Sequence, residues 1–278
     1  MEPLLTADLQ TELRTARVAG RSTLSCSLDL QRTTTVVELG QDSWRWDARN
    51  YPYPGSLKPR TIYYWGGDAF APVERFTHSF IKLVPTEWGA PTFEIDGIKM
   101  LPTARLSPFT DAERKVALIA PRGKRVLDTC GGLGYFATCC LSGGAREVLS
   151  FELNPDVIWL RSLNPWSPDN RWQPSPDALQ VVTADVDEHV ATLPACSVDA
   201  ILHDPPRFGI AGDLYSLRFY QQLARVIKPG GLLFHYVGSP NRLTSGRDVP
   251  KEVAQRLTRA GFAVEPHGDG LLGRRNRR

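Results

Sequence analysis

The sequence predicts an α/β protein: a doubly wound, mostly parallel sheet preceded by a smaller β-rich domain. Three observations carry this. From Pro121 onward, short apolar runs alternate with helical stretches; acidic residues stand at the ends of those runs, at Asp128, Glu152 and Asp204; and Asp128 leads straight into the glycine-rich turn of RVLDTCGGLGYFA, residues 125 to 137. Strands alternating with helices imply a parallel sheet covered on both faces.

The elements follow in chain order. A short helix is expected over Ala7 to Val18, stopped by Gly20. Alternating segments then read as strands at Ser22 to Leu30, Thr34 to Leu39, Thr61 to Trp65, Phe76 to Val84 and Thr92 to Met100. The last contains Asp96-Gly97, a two-residue hairpin signal, because a type I′ turn needs the positive φ that Asp tolerates and Gly accepts freely. Within this part, DARNYPYPGSLKPRTIYYWGG interleaves aromatics with Arg49, Lys58 and Arg60. Such rings could stack the bases of a single strand, or Tyr63, Tyr64 and Trp65 could simply pack the small domain.

The chain changes character near residue 110. Strands are expected at Arg125 to Leu127, Val148 to Phe151, Gln180 to Thr183, Val198 to Leu202, Leu232 to Val237 and Phe262 to Glu265. Helices fall between them at Tyr135 to Leu141, Pro155 to Ser162, Ser216 to Val226 and Pro250 to Ala260. Pro229-Gly230-Gly231 reads as a sharp break between a helix and the next strand. The resulting division is residues 1 to 108, residues 109 to 273 and a basic tail over residues 274 to 278.

Composition is that of a globular chain: 278 residues, 42% hydrophobic and 23% charged, enough to bury a sizeable core. No apolar run approaches the roughly 20 residues needed to cross a bilayer, and the N-terminus lacks a basic flank before an apolar block, so cytoplasmic residence is expected. Five cysteines without a CxxC pair favour reduced thiols over a disulfide framework or a zinc site. Of the 33 basic residues, Arg274, Arg275, Arg277 and Arg278 lie in GRRNRR; the other 29 nearly balance 30 acidic residues. That tail could touch phosphates or stand solvated.

Ligands of doubly wound sheets bind beyond the carboxyl ends of the strands, where the strand order reverses. Asp128 ends the first of these strands; Gly131, Gly132 and Gly134 would let the backbone approach a ligand, and the helix opening at Tyr135 directs N–H groups and partial positive charge toward an anion. Glu152, 24 positions after Asp128, can accept both hydroxyls of a ribose. A glycine-rich turn with an acid at that distance also suits a dinucleotide, so an NAD-dependent protein stays open on these residues.

Asp128 to Gly134 resembles the motif E/DxGxGxG of the class I S-adenosylmethionine-dependent methyltransferases, with Cys130 where the first glycine usually stands. In that resemblance Glu152 looks like the ribose-binding acid, Asp185 in VVTADV like the residue bonding the adenine amino group, and Asp204 in HDPP like the fourth motif at the reaction centre. More closely, DTCGGLGY, NPWS at Asn164 to Ser167, HDPPRF, LYSLRFY and RVIKPGG resemble a family of predicted methyltransferases found in archaea and some bacteria. The resemblance covers roughly residues 105 to 270. It implies a Rossmann-like domain holding S-adenosyl-L-methionine through Asp128, Cys130, Gly132, Gly134, Glu152 and Asp185, with Asp204, Pro205 and Arg207 at the acceptor.

The chemistry of Asp204-Pro205-Pro206 can be argued from the residues alone. An exocyclic base amine is a poor nucleophile, its lone pair being delocalised into the ring. Hydrogen bonds from its two N–H groups to the Asp204 carboxylate and the Pro205 carbonyl would favour a tetrahedral nitrogen, freeing the lone pair for in-line attack on a sulfonium methyl. Enzymes acting on base or amide nitrogens resemble this with an aromatic residue after the second proline; here Arg207 stands there, and the aromatic comes only at Phe208. Arg207 could stack on a base or pair with an anion. His203 and His235 could shuttle a proton or be hydrogen-bonded core residues, and nothing in their spacing supports a metal site. Trp166 and Trp172, in NPWSPDNRWQPSPD, could form a lid or pack a loop.

The expected function is methyl transfer to an acceptor nitrogen, foremost a base amine in RNA. The alternatives are N-methylation of a small amine, polyamine or protein residue, and a cofactor-binding module without turnover.

Overall fold

The computed structural model describes residues 2–168, 177–238 and 248–277. By backbone contacts it divides into residues 1–110 with 162–166, and residues 111–161 with 167–278.

The first unit opens with helix α1 (Ala7–Val18), as expected. Thr6 caps it by accepting the Leu9 N–H, and Leu9, Leu13 and Ala16 form its buried stripe at helical spacing. The strands are β1 (Leu4–Leu5), β2 (Thr23–Cys26), β3 (Thr35–Leu39), β4 (Ser43–Trp46), β5 (Arg49–Pro52), β6 (Tyr63–Trp65), β7 (Phe70–Pro72), β8 (Glu74–Phe76), β9 (Phe80–Val84), β10 (Thr92–Ile95) and β11 (Ile98–Lys99). They pair antiparallel in three small sheets, β1-β6-β7, β2-β3-β4-β5 and β11-β10-β9-β8. Asp96 and Gly97 take φ of 49° and 77°, the positive values a type I′ turn demands. The aromatics mostly pack: Tyr51 and Tyr63 are buried with Trp44, whose ring stacks on Tyr51 at 4.6 Å, and Trp65 meets Tyr51 edge-on at 5.2 Å. Trp166 likewise donates its indole N–H to the Leu30 carbonyl at 2.9 Å and packs on Phe109; Trp172 lies outside the described residues.

The second unit is the doubly wound sheet. Helix α2 (Pro108–Leu118), which is not among the elements the sequence predicts, leads into β12 (Arg125–Asp128), α3 (Tyr135–Ser142), β13 (Glu147–Phe151), α4 (Pro155–Leu163), β14 (Leu179–Val182), α5 (Val186–His189), β15 (Val198–His203), α6 (Leu217–Val226), β16 (Ile227–Tyr236), α7 (Val249–Ala260), β17 (Phe262–His267) and β18 (Gly270–Arg275). The strand order is β14-β13-β12-β15-β16-β18-β17, with β18 antiparallel to both neighbours. Helix α6 buries Phe219, Tyr220 and Leu223, and α7 buries Val253 and Leu257, all in one core with Leu127, Ile201 and Leu233 of the sheet. Among the described residues, no helix is long and apolar enough to cross a membrane.

Two expectations change here. Pro229-Gly230-Gly231 does not precede the strand: β16 starts at Ile227, and the segment forms a register break within it, with Val198 opposite Ile227 and Ala200 opposite Leu232. Arg274 and Arg275 belong to no tail. They end β18, and Arg275 donates to the carbonyls of Ala224 and Gly261, each at 2.9 Å.

Strand β18 depends on a glycine at its start. A Cβ on Gly270 would lie 2.5 Å from the Phe234 ring and 2.7 Å from the His235 carbonyl, whereas one on Gly209 would meet nothing within 4 Å. Gly270→Ala is therefore expected to lower stability by about 1 to 3 kcal/mol through overpacking, and Gly209→Ala by less than about 0.5 kcal/mol. Urea midpoints of the two variants check this.

Candidate active site

The strand order reverses between β12, whose next neighbour in sequence is β13, and β15, which returns to the other side of β12. Hydrogen bonds lace the carboxyl ends together there. Thr129 N–H donates to the Leu202 carbonyl at 3.1 Å, Gly131 N–H to Phe151 O at 2.6 Å, and Glu152 N–H to Val182 O at 3.0 Å. The turn after Asp128 thus sits beside the residue that follows His203. This is where doubly wound sheets bind ligands.

Glu152 closes the turn from the β13 side. Its Oε2 accepts the Gly132 N–H and its Oε1 the Asn154 N–H, each at 2.9 Å, so the carboxylate is aimed by two backbone donors. Burial nonetheless pushes its pKa up, against those hydrogen bonds and the nearby Arg161 charge. Asp128 is fully buried; its Oδ2 accepts from Ser150 Oγ at 2.8 Å and its pKa is pushed up to about 7, chiefly by burial. The Cys130 thiol is pushed well above its ordinary value by the same cause, which removes it as a reactive thiolate.

The glycines also make room for the protein's own side chains. Gly132 and Gly134 take φ of 49° and 80°, where L side chains are strained. A Cβ on Gly134 would lie 2.5 Å from Arg161 Nε, and one on Gly131 would collide with Ser150 Oγ. What the missing side chains admit is therefore the protein's own α4 and β13. Arg161 is 7% exposed, and its Nη1 and Nη2, with Asp128 Oδ1, have no hydrogen-bond partner among the described residues. Buried polar groups are normally satisfied, so this unmatched set marks the turn as built for a further polar group. A nucleoside carrying a zwitterionic amino-acid tail fits: Glu152 holds acceptor oxygens for a ribose, and unmatched acceptor and donor atoms stand at the turn for the tail's two charges.

Asp204 stands one residue beyond β15. Its Oδ2 accepts from Lys115 Nζ at 3.3 Å, while its Oδ1 has no hydrogen-bond partner among the described residues. Lys115, 4% exposed on α2, also pairs with Asp111 at 2.7 Å, and its Nζ lies 4.1 Å from the centre of the Tyr236 ring. Asp269 adds a third carboxylate within electrostatic reach of Lys115. Burial pushes the Asp204 carboxyl up, with Asp111 and Asp269 reinforcing and Lys115 opposing. Tyr236 is pushed up to about 12 by burial and by Asp204. Pro205 is buried beside Asp204; its carbonyl accepts no hydrogen bond among the described residues, whereas Pro206 O takes the Tyr215 hydroxyl at 3.0 Å.

Asp185 caps α5, accepting the Asp187 N–H at 2.8 Å, beyond the end of β14. Arg207 is exposed, with no side-chain partner among the described residues, and Phe208 packs edge-on against Tyr215. Both histidines are structural. His203 Nε2–H donates to the Leu214 carbonyl at 3.0 Å, which leaves Nδ1 to accept from Thr129 Oγ1 at 2.7 Å; His235 Nδ1–H donates to Tyr236 O and its Nε2 accepts from Tyr220, both at 2.8 Å. Burial drives His203 down to about 3, and His235 well below its ordinary value, so both rings stay neutral. No cluster that could hold a metal ion occurs among the described residues. Lys115, Asp111, Tyr236 and Arg161 carried no motif signal. Only the burial of Lys115 and Arg161, invisible in a sequence, distinguishes them.

No family model matches the chain. An uncharacterised protein of Methanocaldococcus jannaschii is 41% identical over 197 residues, covering 70% of this chain and 66% of that protein. A polyamine aminopropyltransferase of Mycobacterium tuberculosis is 31% identical over 159 residues, 54% of this chain and 29% of that protein. The chain thus spans under two thirds of either relative's length. Among solved structures, a spermidine synthase in complex with the transition-state analogue AdoDATO superposes with a TM-score of 0.58 at 17% identity, covering 81% of this chain and 82% of that one. At that identity the likeness speaks for architecture. The chain is a Rossmann-like, doubly wound α/β protein with a smaller β-rich N-terminal part, a fold it has in common with spermidine synthase.

Proposed function

We propose that this chain is an S-adenosylmethionine-dependent N-methyltransferase whose acceptor is a small cationic amine. The observation that carries the reading is Asp204: a carboxylate at the switch point with one oxygen held by Lys115 and, among the described residues, the other unengaged, in a rim whose described charges are Asp111, Asp204 and Asp269 against Lys115. A rim with excess negative charge attracts an ammonium and repels a phosphate backbone. That moves the favoured acceptor from an RNA base to an amine, and the name of the aminopropyltransferase relative points the same way.

Bound S-adenosylmethionine would supply an electrophilic methyl on a sulfonium. The chain's own residues do the rest. Glu152 holds a ribose, Asp128 and Arg161 complement the charges of the amino-acid tail, and Asp185, past the end of β14, would serve the base. Asp204 Oδ1 and the Pro205 carbonyl accept the acceptor's N–H groups; Oδ1 takes one proton from the ammonium, which frees and orients the nitrogen lone pair, and the new N–C bond would form as the methyl's bond to the sulfonium breaks, leaving a neutral thioether. Aminopropyl transfer from the decarboxylated cofactor is the second reading, favoured by the polyamine relative. Against it stands Arg161, whose positive charge beside the turn suits a carboxylate that the decarboxylated cofactor lacks.

Two measurements test this. Incubation with methyl-labelled cofactor and separate amine, RNA and protein fractions is expected to label the amines; label in RNA alone would return the acceptor to a base, and Asp204→Asn is expected to cut turnover by about 100-fold or more while cofactor affinity holds. Calorimetry should find S-adenosylhomocysteine binding at least about 10-fold tighter than 5′-methylthioadenosine, with Arg161→Met narrowing the gap through loss of a charge-assisted interaction. Equal affinities would favour aminopropyl transfer.

A further inference from the structure

Lys115 has three contacts and no motif to explain it. Its Nζ is 2.7 Å from Asp111 Oδ2, 3.3 Å from Asp204 Oδ2 and 4.1 Å from the centre of the Tyr236 ring, with the Phe136 ring farther off at 5.9 Å. A lysine this buried gives up most of its hydration, and a structural ion pair would need only one carboxylate. Here one ammonium is shared between a carboxylate one helical turn away and a carboxylate at the end of β15. The arrangement holds Asp204 at Oδ2 and leaves Oδ1 without a hydrogen-bond partner among the described residues.

We propose that Lys115, steered by Asp111, is a positioning residue that holds Asp204 in its ionised form and in one orientation at the acceptor. This rests on Asp204 being the acceptor-binding group argued above. Asp111 turns the lysine into a tunable partner: it pulls Nζ away from Asp204 while adding a like charge beside it. Among the described residues, the groups facing Asp204 are Lys115 and Asp111 from α2, Asp269 from the β17–β18 turn, Tyr236 from β16, Asp128 at the end of β12 and Cys130 in the turn that follows it. Of these, Lys115 alone is positively charged.

The signs of two variants separate positioning from mere packing. Removing an opposite charge raises a carboxylate pKa and removing a like charge lowers it, by about 1 to 3 pH units at such distances. In the full chain, with aspartate carboxyl carbons labelled with carbon-13 and the Asp204 signal assigned by its loss in Asp204→Asn, Lys115→Met is expected to move the Asp204 midpoint up by about 1 unit or more. Asp111→Asn should move it down. Since Asp204 acts ionised, the acid limb of kcat/KM should follow in the same directions, and Lys115→Arg should keep the wild-type midpoint.

An Asp204 midpoint that stays put in both variants, or moves the same way in both, overturns the proposal. Should Lys115→Met fail to fold, Asp111→Asn and Lys115→Arg still decide it. Opposite shifts without methylation of any amine would uphold the role of Lys115 and overturn the reaction instead.

Discussion

The candidate site hangs on the seam between β12 and β15. Two bonds from Thr129 fix it: its N–H to the Leu202 carbonyl and its hydroxyl to His203 Nδ1. The hydroxyl can donate there only because His203 is neutral with its other nitrogen committed to Leu214, and His203 is neutral because it is wholly buried, next to an equally buried His235 in the adjacent strand. A proton on either ring would place a charge in the core of the sheet, where its desolvation is costly. Two histidines that looked like candidates for chemistry thus set the register on which the chemistry would depend.

From that seam, charge is distributed in two separate groups. At the glycine turn, Arg161 lies within electrostatic reach of Asp128 and Glu152 without a close ion pair among the described residues; at the end of β15, Lys115 is shared by Asp111 and Asp204. Buried charges seldom add net stability, because desolvation offsets their attraction. Their value here is positional. Among the described residues, the first group leaves polar atoms unmatched beside the turn where the cofactor is proposed to bind, and the second leaves one carboxylate oxygen unengaged where the proposed acceptor nitrogen would stand. A fold shared with a spermidine synthase is compatible with either methyl or aminopropyl transfer, so the side chains and not the sheet carry the distinction.

Most of the sheet was legible in the residues. Apolar runs bounded by Asp128, Phe151 and His203 form strands close to their expected limits, since a strand covered on both faces must be apolar throughout and stops where polarity begins. Strand β18 was not legible. Its GLLGRR sequence ends in two arginines that read as a solvated tail, yet their backbones pair with β16 and β17 and Arg275 spans to the carbonyls of α6 and α7. The aromatics of residues 51 to 65 also read two ways, and packing against Trp44 took most of them.

By itself, then, the sequence determined the order of the elements, the glycine turn, and the acids that end the strands, because each follows from local chemistry: apolar periodicity, positive φ, and a polar residue where a strand leaves the core. Which side chains converge on Asp204 was decided only in three dimensions. Lys115 stands 89 positions before Asp204, and nothing local requires a lysine there. Only the tertiary fold, which brings Lys115 of α2 to Asp204 beyond the end of β15, buries its ammonium between two carboxylates, where it must either find them or lose its charge.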